Sequence, residues 1–227
     1  MRRYILPLLL SLSACAPVTP DNQPSRAVIA DSTLPPMKTF AARTQPRVAP
    51  SNADLAQDFI DLSFELESGR SLPVFTRFET PITVRVAGNP PASLAPDLAR
   101  LLSRLQREAA VPITLTGDRS ANITIQAVPR SDIRKVLPQA ACFVAPNVST
   151  MAEYRKARRS PRTSWAQMTT RTTLAIFLPN DASPQEVRDC LHEELAQAIG
   201  PLNDLYRLPN SVFNDDNVHT VLTSYDM

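Results

Sequence analysis

Two kinds of apolar spacing alternate along the chain, and the switches between them outline its elements. Leu55, Phe59, Leu62 and Leu66 recur at intervals of four, three and four behind Ser51 and Asn52, which can cap a helix. The spacing predicts an opening amphipathic helix that buries all four side chains on one stripe and ends at Gly69. Ile82, Val84 and Val86 then alternate as in a half-buried strand, broken by Gly88-Asn89-Pro90-Pro91. Leu94, Leu98, Leu101, Leu102 and Leu105 return to helical spacing.

Two short strands follow, around Ile113 and Leu115 and around Ile123 and Ile125, on either side of the turn-prone Gly117-Asp118-Arg119-Ser120. Cys142, Phe143 and Val144 mark a fourth strand, and residues 172–178 a fifth, with Leu174, Ile176 and Leu178 on one face. The basic stretch between them, from Tyr154 to Trp165, reads as a long solvated loop. A last helix starts at Ser183-Pro184-Gln185-Glu186, with Ser as N-cap and Pro at the first helical position, and stops at Gly200-Pro201. The order predicts an α/β (α+β) fold, a mixed twisted sheet of about four or five strands with a backing helix and a second helix at the end.

The segments before residue 51 follow neither spacing. Met1-Arg2-Arg3 and the apolar run from Tyr4 to Leu12 have the make-up of a signal peptide and are too short to span a bilayer. Leu12-Ser13-Ala14-Cys15 resembles the bacterial lipobox, with Cys15 as lipid acceptor; an ordinary secretory signal is the other reading. By resemblance to diderm lipoproteins, Ala rather than Asp at position 16 implies the outer membrane, on its periplasmic side, as the address. Residues 15–50, rich in Pro, Thr and Ser, are expected to be a disordered tether between lipid and domain. The expected division is a signal peptide over 1–14, a lipidated tether over 15–50 and one folded domain over 51–227.

Composition narrows the function classes without choosing among them. A chain of 227 residues that is 43% apolar can bury one sizeable core. A net charge of +2 argues for no nucleic-acid partner. Within the Tyr154 to Trp165 stretch, contact with anionic lipid headgroups or another envelope polymer is the alternative to plain solvation. Of three cysteines, Cys15 is assigned to the lipid, which leaves Cys142 and Cys190; a disulfide between them is expected, in preference to two buried thiols.

Candidate chemistry is concentrated in the last helix. At about 100° per residue, Val187, Leu191, Leu195 and Ala198 share its apolar face, and Glu194 falls between Val187 and Ala198. A carboxylate there is costly unless paired, hydrogen-bonded or metal-bound. Glu193 and Gln197 lie one turn apart beside it, while His192 points nearly opposite, toward solvent. His192-Glu193 does not open the zinc motif H-E-x-x-H, because the position four residues on is Ala196.

Shifted by one residue, Glu193-Glu194 through Gln197, Gly200 and Asn203-Asp204 resembles the metzincin pattern H-E-x-x-H-x-x-G-x-x-H. Glu194 takes the place of the general base, and Glu193, Gln197 and Asn203 stand where zinc-binding His residues would be. Ser211-Val212-Phe213-Asn214 resembles the metzincin Met-turn with Phe for Met. The same residues, with Cys190, resemble the bacterial lipoprotein family of domain of unknown function 2927, from about Asp54 to the end. The resemblance implies a zincin-like fold and no established activity.

Thr223-Ser224-Tyr225-Asp226 reads as a capping box opening a helix, which follows in the resembling family, yet the sequence ends at Met227. The expectation is a truncated domain or one that has lost that helix. His219 stands close enough to fold back as a ligand, although a lone loop histidine is more often solvent-exposed.

The function expected is a lipid-anchored envelope module, a non-catalytic pseudo-zincin that binds or scaffolds a peptide or envelope partner, with no cofactor. The alternative is a metallopeptidase-like hydrolase with Glu194 as base and a divalent metal held by Glu193, Gln197, Asn203 or Asp204, an oxygen-donor set weaker than the His sites of zinc enzymes.

Overall fold

The computed structural model describes residues 50–214 and 219–227, together with the backbone of Ser25–Ala27. The signal segment, Cys15 and most of the expected tether lie outside the described residues. Ser25–Ala27, inside the segment expected to be disordered, forms a strand, β1.

Each pattern of alternation becomes a strand: β2 (Ile82–Gly88), β3 (Ile113–Leu115), β4 (Ile123–Val128), β5 (Ala140–Pro146) and β6 (Leu174–Pro179). With β1 they form one mixed sheet in the order β1-β5-β6-β4-β2-β3. β3, β2, β4 and β6 are mutually parallel, and β5 runs against β6 and β1. Parallel neighbours need crossovers, and α2 (Leu94–Glu108) supplies the one from β2 to β3.

β4, β5 and β6 are apolar nearly throughout because both faces of the sheet are covered. On one face Val84, Ile123, Ile125, Leu174, Ile176 and Leu178 pack against the leucine stripe of α2 and against α5 (Pro184–Ile199). On the other, Phe143, Ala175 and Phe177 pack under α3 (Arg130–Arg134) and α4 (Met151–Ala157), with the Tyr154 ring 4.9 Å from that of Phe143. The predicted alternation of Leu174, Ile176 and Leu178 holds; the residues between them serve a second core.

Gly88 ends β2 at φ +82, where a Cβ would fall 2.2 Å from the Ala127 carbonyl oxygen, so glycine is required by both conformation and space. Cys142 on β5 and Cys190 on α5 form a disulfide, Cα to Cα 5.9 Å, fastening the outer part of the sheet to the helix behind it.

Two expectations need correction. The basic stretch is not a loop: it contains most of α4 and two short 3-10 turns, and Tyr154 and Trp165 are buried. Thr150 caps α4 by accepting the Glu153 N–H, and Tyr154 anchors it, so two core-seeking aromatics organise a segment whose charges suggested only solvation.

The first helix, α1 (Asn52–Ser63), has the Ser51 cap and its capping box with Asp54, but not the predicted burial. Leu62 and Leu66 are buried, whereas Leu55 and Phe59, and Ile60 beside them, are 41–49% exposed. α1 ends well before Gly69 because Leu66 reaches the core through a small hairpin, in which Leu66 N–H donates to Arg70 O and Leu72 N–H to Phe64 O.

Candidate functional site

α5 starts as its sequence predicts, the Ser183 hydroxyl accepting the Glu186 N–H. Over its next turns it is buried on nearly all sides, because the sheet, α2, the C-terminal segment and the 64–72 hairpin surround it. Glu193, Glu194 and Gln197 are all inside.

Gln197 donates its side-chain N–H to Glu67 Oε1 at 2.9 Å, and Glu67 belongs to the exposed turn of the 64–72 hairpin. Its other amide atom, Oε1, is buried with no hydrogen-bond donor among the described residues. Asn203 turns its amide to the main-chain carbonyl of Asp61 at 3.0 Å, at the end of α1, and Asp204 is half-buried beside it.

As a metal cradle the set fits poorly. Among the described residues no three His, Cys, Asp or Glu side chains are grouped to hold an ion. Gln197 and Asn203 could offer only neutral amide oxygens, weak donors beside the His nitrogens of zinc sites, while their N–H groups join α5 and the chain after it to the α1 region.

His192 departs from expectation: it is buried rather than turned to solvent. The C-terminal segment lies over this face of α5, and the His192 Nδ1 accepts the Leu222 N–H at 3.2 Å. Burial, reinforced by the cation of Arg104, lowers its pKa to about 3, so the ring is a neutral acceptor. His219, the other histidine, approaches the Pro209 carbonyl at 3.0 Å, and residues 215–218 just before it lie outside the described residues.

Arg171, which no spacing singles out, closes the far end of α5. Its guanidinium is buried and donates to the carbonyls of Gln197, Ala198 and Gly200 at 2.7, 2.9 and 2.7 Å and to Thr76 Oγ1 at 3.1 Å. It also lies 5.3 Å from the centre of the Trp165 ring. These carbonyls are those a helix leaves unsatisfied at its C-terminus, and the cation meets the negative end of the helix dipole. Burial brings the Arg171 pKa down to about 9, and the side chain stays charged at neutral pH.

A second constellation lies at α1. Asp58, buried among exposed neighbours, receives Arg207 Nη2 at 2.8 Å and the Tyr225 hydroxyl at 2.6 Å, while Arg207 also reaches Asp61 at 2.6 Å. Burial and the Asp58 carboxylate both raise the pKa of the Tyr225 phenol, which remains protonated. Beside them opens a cleft of about 540 Å³, with Pro50, Leu208, Pro209 and Tyr225 as apolar wall and Asp54, Asp58 and Arg207 as charged groups. Asp58 gave no sequence signal, being a carboxylate on a helix that otherwise read as packed by leucines.

The Ser211–Asn214 turn, read as the counterpart of a Met-turn, is closed by polar contacts. The Ser211 hydroxyl donates to Asp226, and Asn214 donates its amide to the Tyr206 carbonyl at 3.0 Å. Asp226 also accepts the Thr223 N–H at 2.6 Å, half of the predicted capping box, and the last residues form a turn.

No curated protein and no solved structure matches the chain. The match that identifies it takes in α1, the whole of α5 and the C-terminal turn. Residues 52–227 fit the family model described as Protein of unknown function (DUF2927), and the chain belongs to that family.

Proposed function

We propose that this protein is a lipid-anchored module of the bacterial cell envelope that binds a peptide partner without cutting it. The observation that carries the reading is the face of α1: Leu55, Phe59 and Ile60 stand exposed on a helix held down by Asp58, and Tyr206 is exposed nearby in sequence to Arg207. Exposed apolar side chains close together on one helix are a usual mark of a recognition surface, and the same helix lines the cleft through Asp54, Gln57 and Asp58.

The anchor rests on the signal segment and on Cys15 within its lipobox-like sequence. The Cys142–Cys190 disulfide accords with an oxidising compartment. The order of strands and helices, with the Glu194 helix last, supports a zincin-like ancestry. The buried placement of Glu193, Glu194 and Gln197 favours a pseudo-enzyme over a hydrolase, since a general base must reach substrate.

The test is a peptide library presented to residues 15–227, read for both capture and cleavage, with metal analysis of the same sample. Capture of apolar peptides that weakens at least tenfold in Leu55→Ser/Phe59→Ser, without cleavage, is expected. Stoichiometric metal with turnover that is lost in Glu194→Gln would defeat the proposal and establish the hydrolase. Labelling with radioactive palmitate in cells, abolished by Cys15→Ala, checks the anchor separately.

A further inference from the structure

We propose that the basic surface built on α4 docks the domain onto the anionic phospholipid headgroups of the membrane that holds its anchor. Arg155, Lys156, Arg158 and Arg159 together line a surface depression of about 190 Å³. No Asp or Glu occurs between Glu153 and Asp181, whereas that stretch holds six arginine or lysine residues, of which only Arg171 is buried.

Internal pairing accounts for little of this charge. Arg155 meets Asp132 at 3.0 Å, a carboxylate it shares with Lys135. Lys156, Arg158, Arg159 and Arg162 meet no carboxylate among the described residues; Arg158 and Arg162 reach only the main-chain carbonyls of Val136 and Asn147. Nor are these cations needed to finish α4, since the Ala157 carbonyl already accepts from the hydroxyls of Ser160 and Thr163 at 2.8 and 2.9 Å. Tyr154 and Met151, locked into the core, hold the surface rigid and facing outward.

The sheet puts this surface near the tether. β1 pairs antiparallel to β5, with Ser25 opposite Phe143, so the upstream end of β1 points toward the Pro146 end of β5. That end leads directly into α4. Cys15 is ten residues upstream of Ser25, a reach of at most roughly 36 Å at full extension. An acyl chain there keeps α4 within a short distance of headgroups, and several basic side chains near an anionic surface add binding by charge.

The inference rests on the anchored reading above for proximity alone, and the test removes the lipid. Residues 15–227 carrying Cys15→Ser are mixed with vesicles of phosphatidylcholine, or of phosphatidylcholine with phosphatidylglycerol, and sedimented. The expected result is retention on the phosphatidylglycerol vesicles only, reduced by salt and weakened about 25-fold in Lys156→Ala/Arg159→Ala, at roughly fivefold for each basic residue removed. An unchanged thermal melt of that variant confirms an intact fold. Equal retention on both vesicles, no retention, or an unaffected variant would each overturn the proposal. Release by inorganic phosphate at matched ionic strength would also overturn it, by assigning the surface to a free anion. Palmitate labelling and peptide capture are read independently, so failure here leaves the anchor and the α1 surface standing.

Discussion

Leu222 donates its main-chain N–H to His192 Nδ1 at 3.2 Å, while its carbonyl receives Arg104 Nη1 at 2.8 Å, so one residue fastens the C-terminal segment to both α5 and α2. The bond requires a neutral imidazole.

Stability should therefore fall as the solution is acidified. The His192 pKa is about 3 in the folded state against an ordinary 6.5, so between these values the unfolded chain binds the extra proton. The group's contribution is fully present above pH 6.5 and is lost on descending toward pH 3, by on the order of 1.4 kcal/mol per pH unit. Denaturant midpoints measured across this range should slope less steeply in His192→Gln. Equal slopes would mean that other groups carry the acid sensitivity.

Replacing Arg171 should be among the most damaging single changes. Arg171→Ala leaves two buried carbonyls and one half-buried carbonyl at the end of α5 without their donor and opens a hole beside Trp165. A loss of about 3–5 kcal/mol is expected, with Arg171→Lys intermediate because an ammonium cannot reproduce the planar fork. Equilibrium unfolding in guanidinium would measure both.

On α1 the usual order of polar and apolar substitutions should invert. Asp58→Ala breaks contacts to Arg207 and Tyr225 and is expected to cost about 1–3 kcal/mol, while Phe59→Ser, on a half-exposed side chain, should cost less than about 1 kcal/mol. Thermal melts of the two variants would rank them. A larger loss for Phe59→Ser would place that ring in the core after all.

Removing the disulfide as Cys142→Ser/Cys190→Ser should lower stability by about 4 kcal/mol at most, from the entropy of a loop of this length in the unfolded chain. Urea unfolding of the native and double-variant chains gives the difference. No difference would mean that the unfolded chain keeps β5 near α5 without the bond.

Legibility followed the physics of each element. α2 and β4 were readable because their apolar periodicities match the faces that bury them, and α5 because Ser183, Pro184 and Gly200 mark its ends with local chemistry. α4 was hidden because a seven-residue helix shows barely two turns, and its charged residues Glu153, Arg155 and Lys156 outnumber Met151 and Tyr154. α1 misled for the opposite reason: Leu55 and Phe59 fit a buried stripe, and spacing alone does not reveal that among the described residues they stay half-exposed, with the Phe75 ring beside Phe59.

At the site, helical geometry placed Glu194 inside correctly but set His192 outside, since the angle about an axis says nothing of what covers the far side. That cover comes from Leu222, thirty residues later. The partners of Gln197 and Asp58 were unreadable on similar grounds: Glu67 and Tyr225 lie 130 and 167 positions away in the chain.

The 48-residue interval between Cys142 and Cys190 also imposes a schedule. A chain made from its N-terminus delivers Cys142 first, and its partner arrives only after α4, β6 and the opening turns of α5 have followed. Until then β5 carries an unpaired thiol beside unfinished sheet, open to exchange with disulfides of other molecules. Closure of the bridge thus requires that β5 and the last helix have both been delivered, and from then on those two elements stay tied even when the rest of the domain opens.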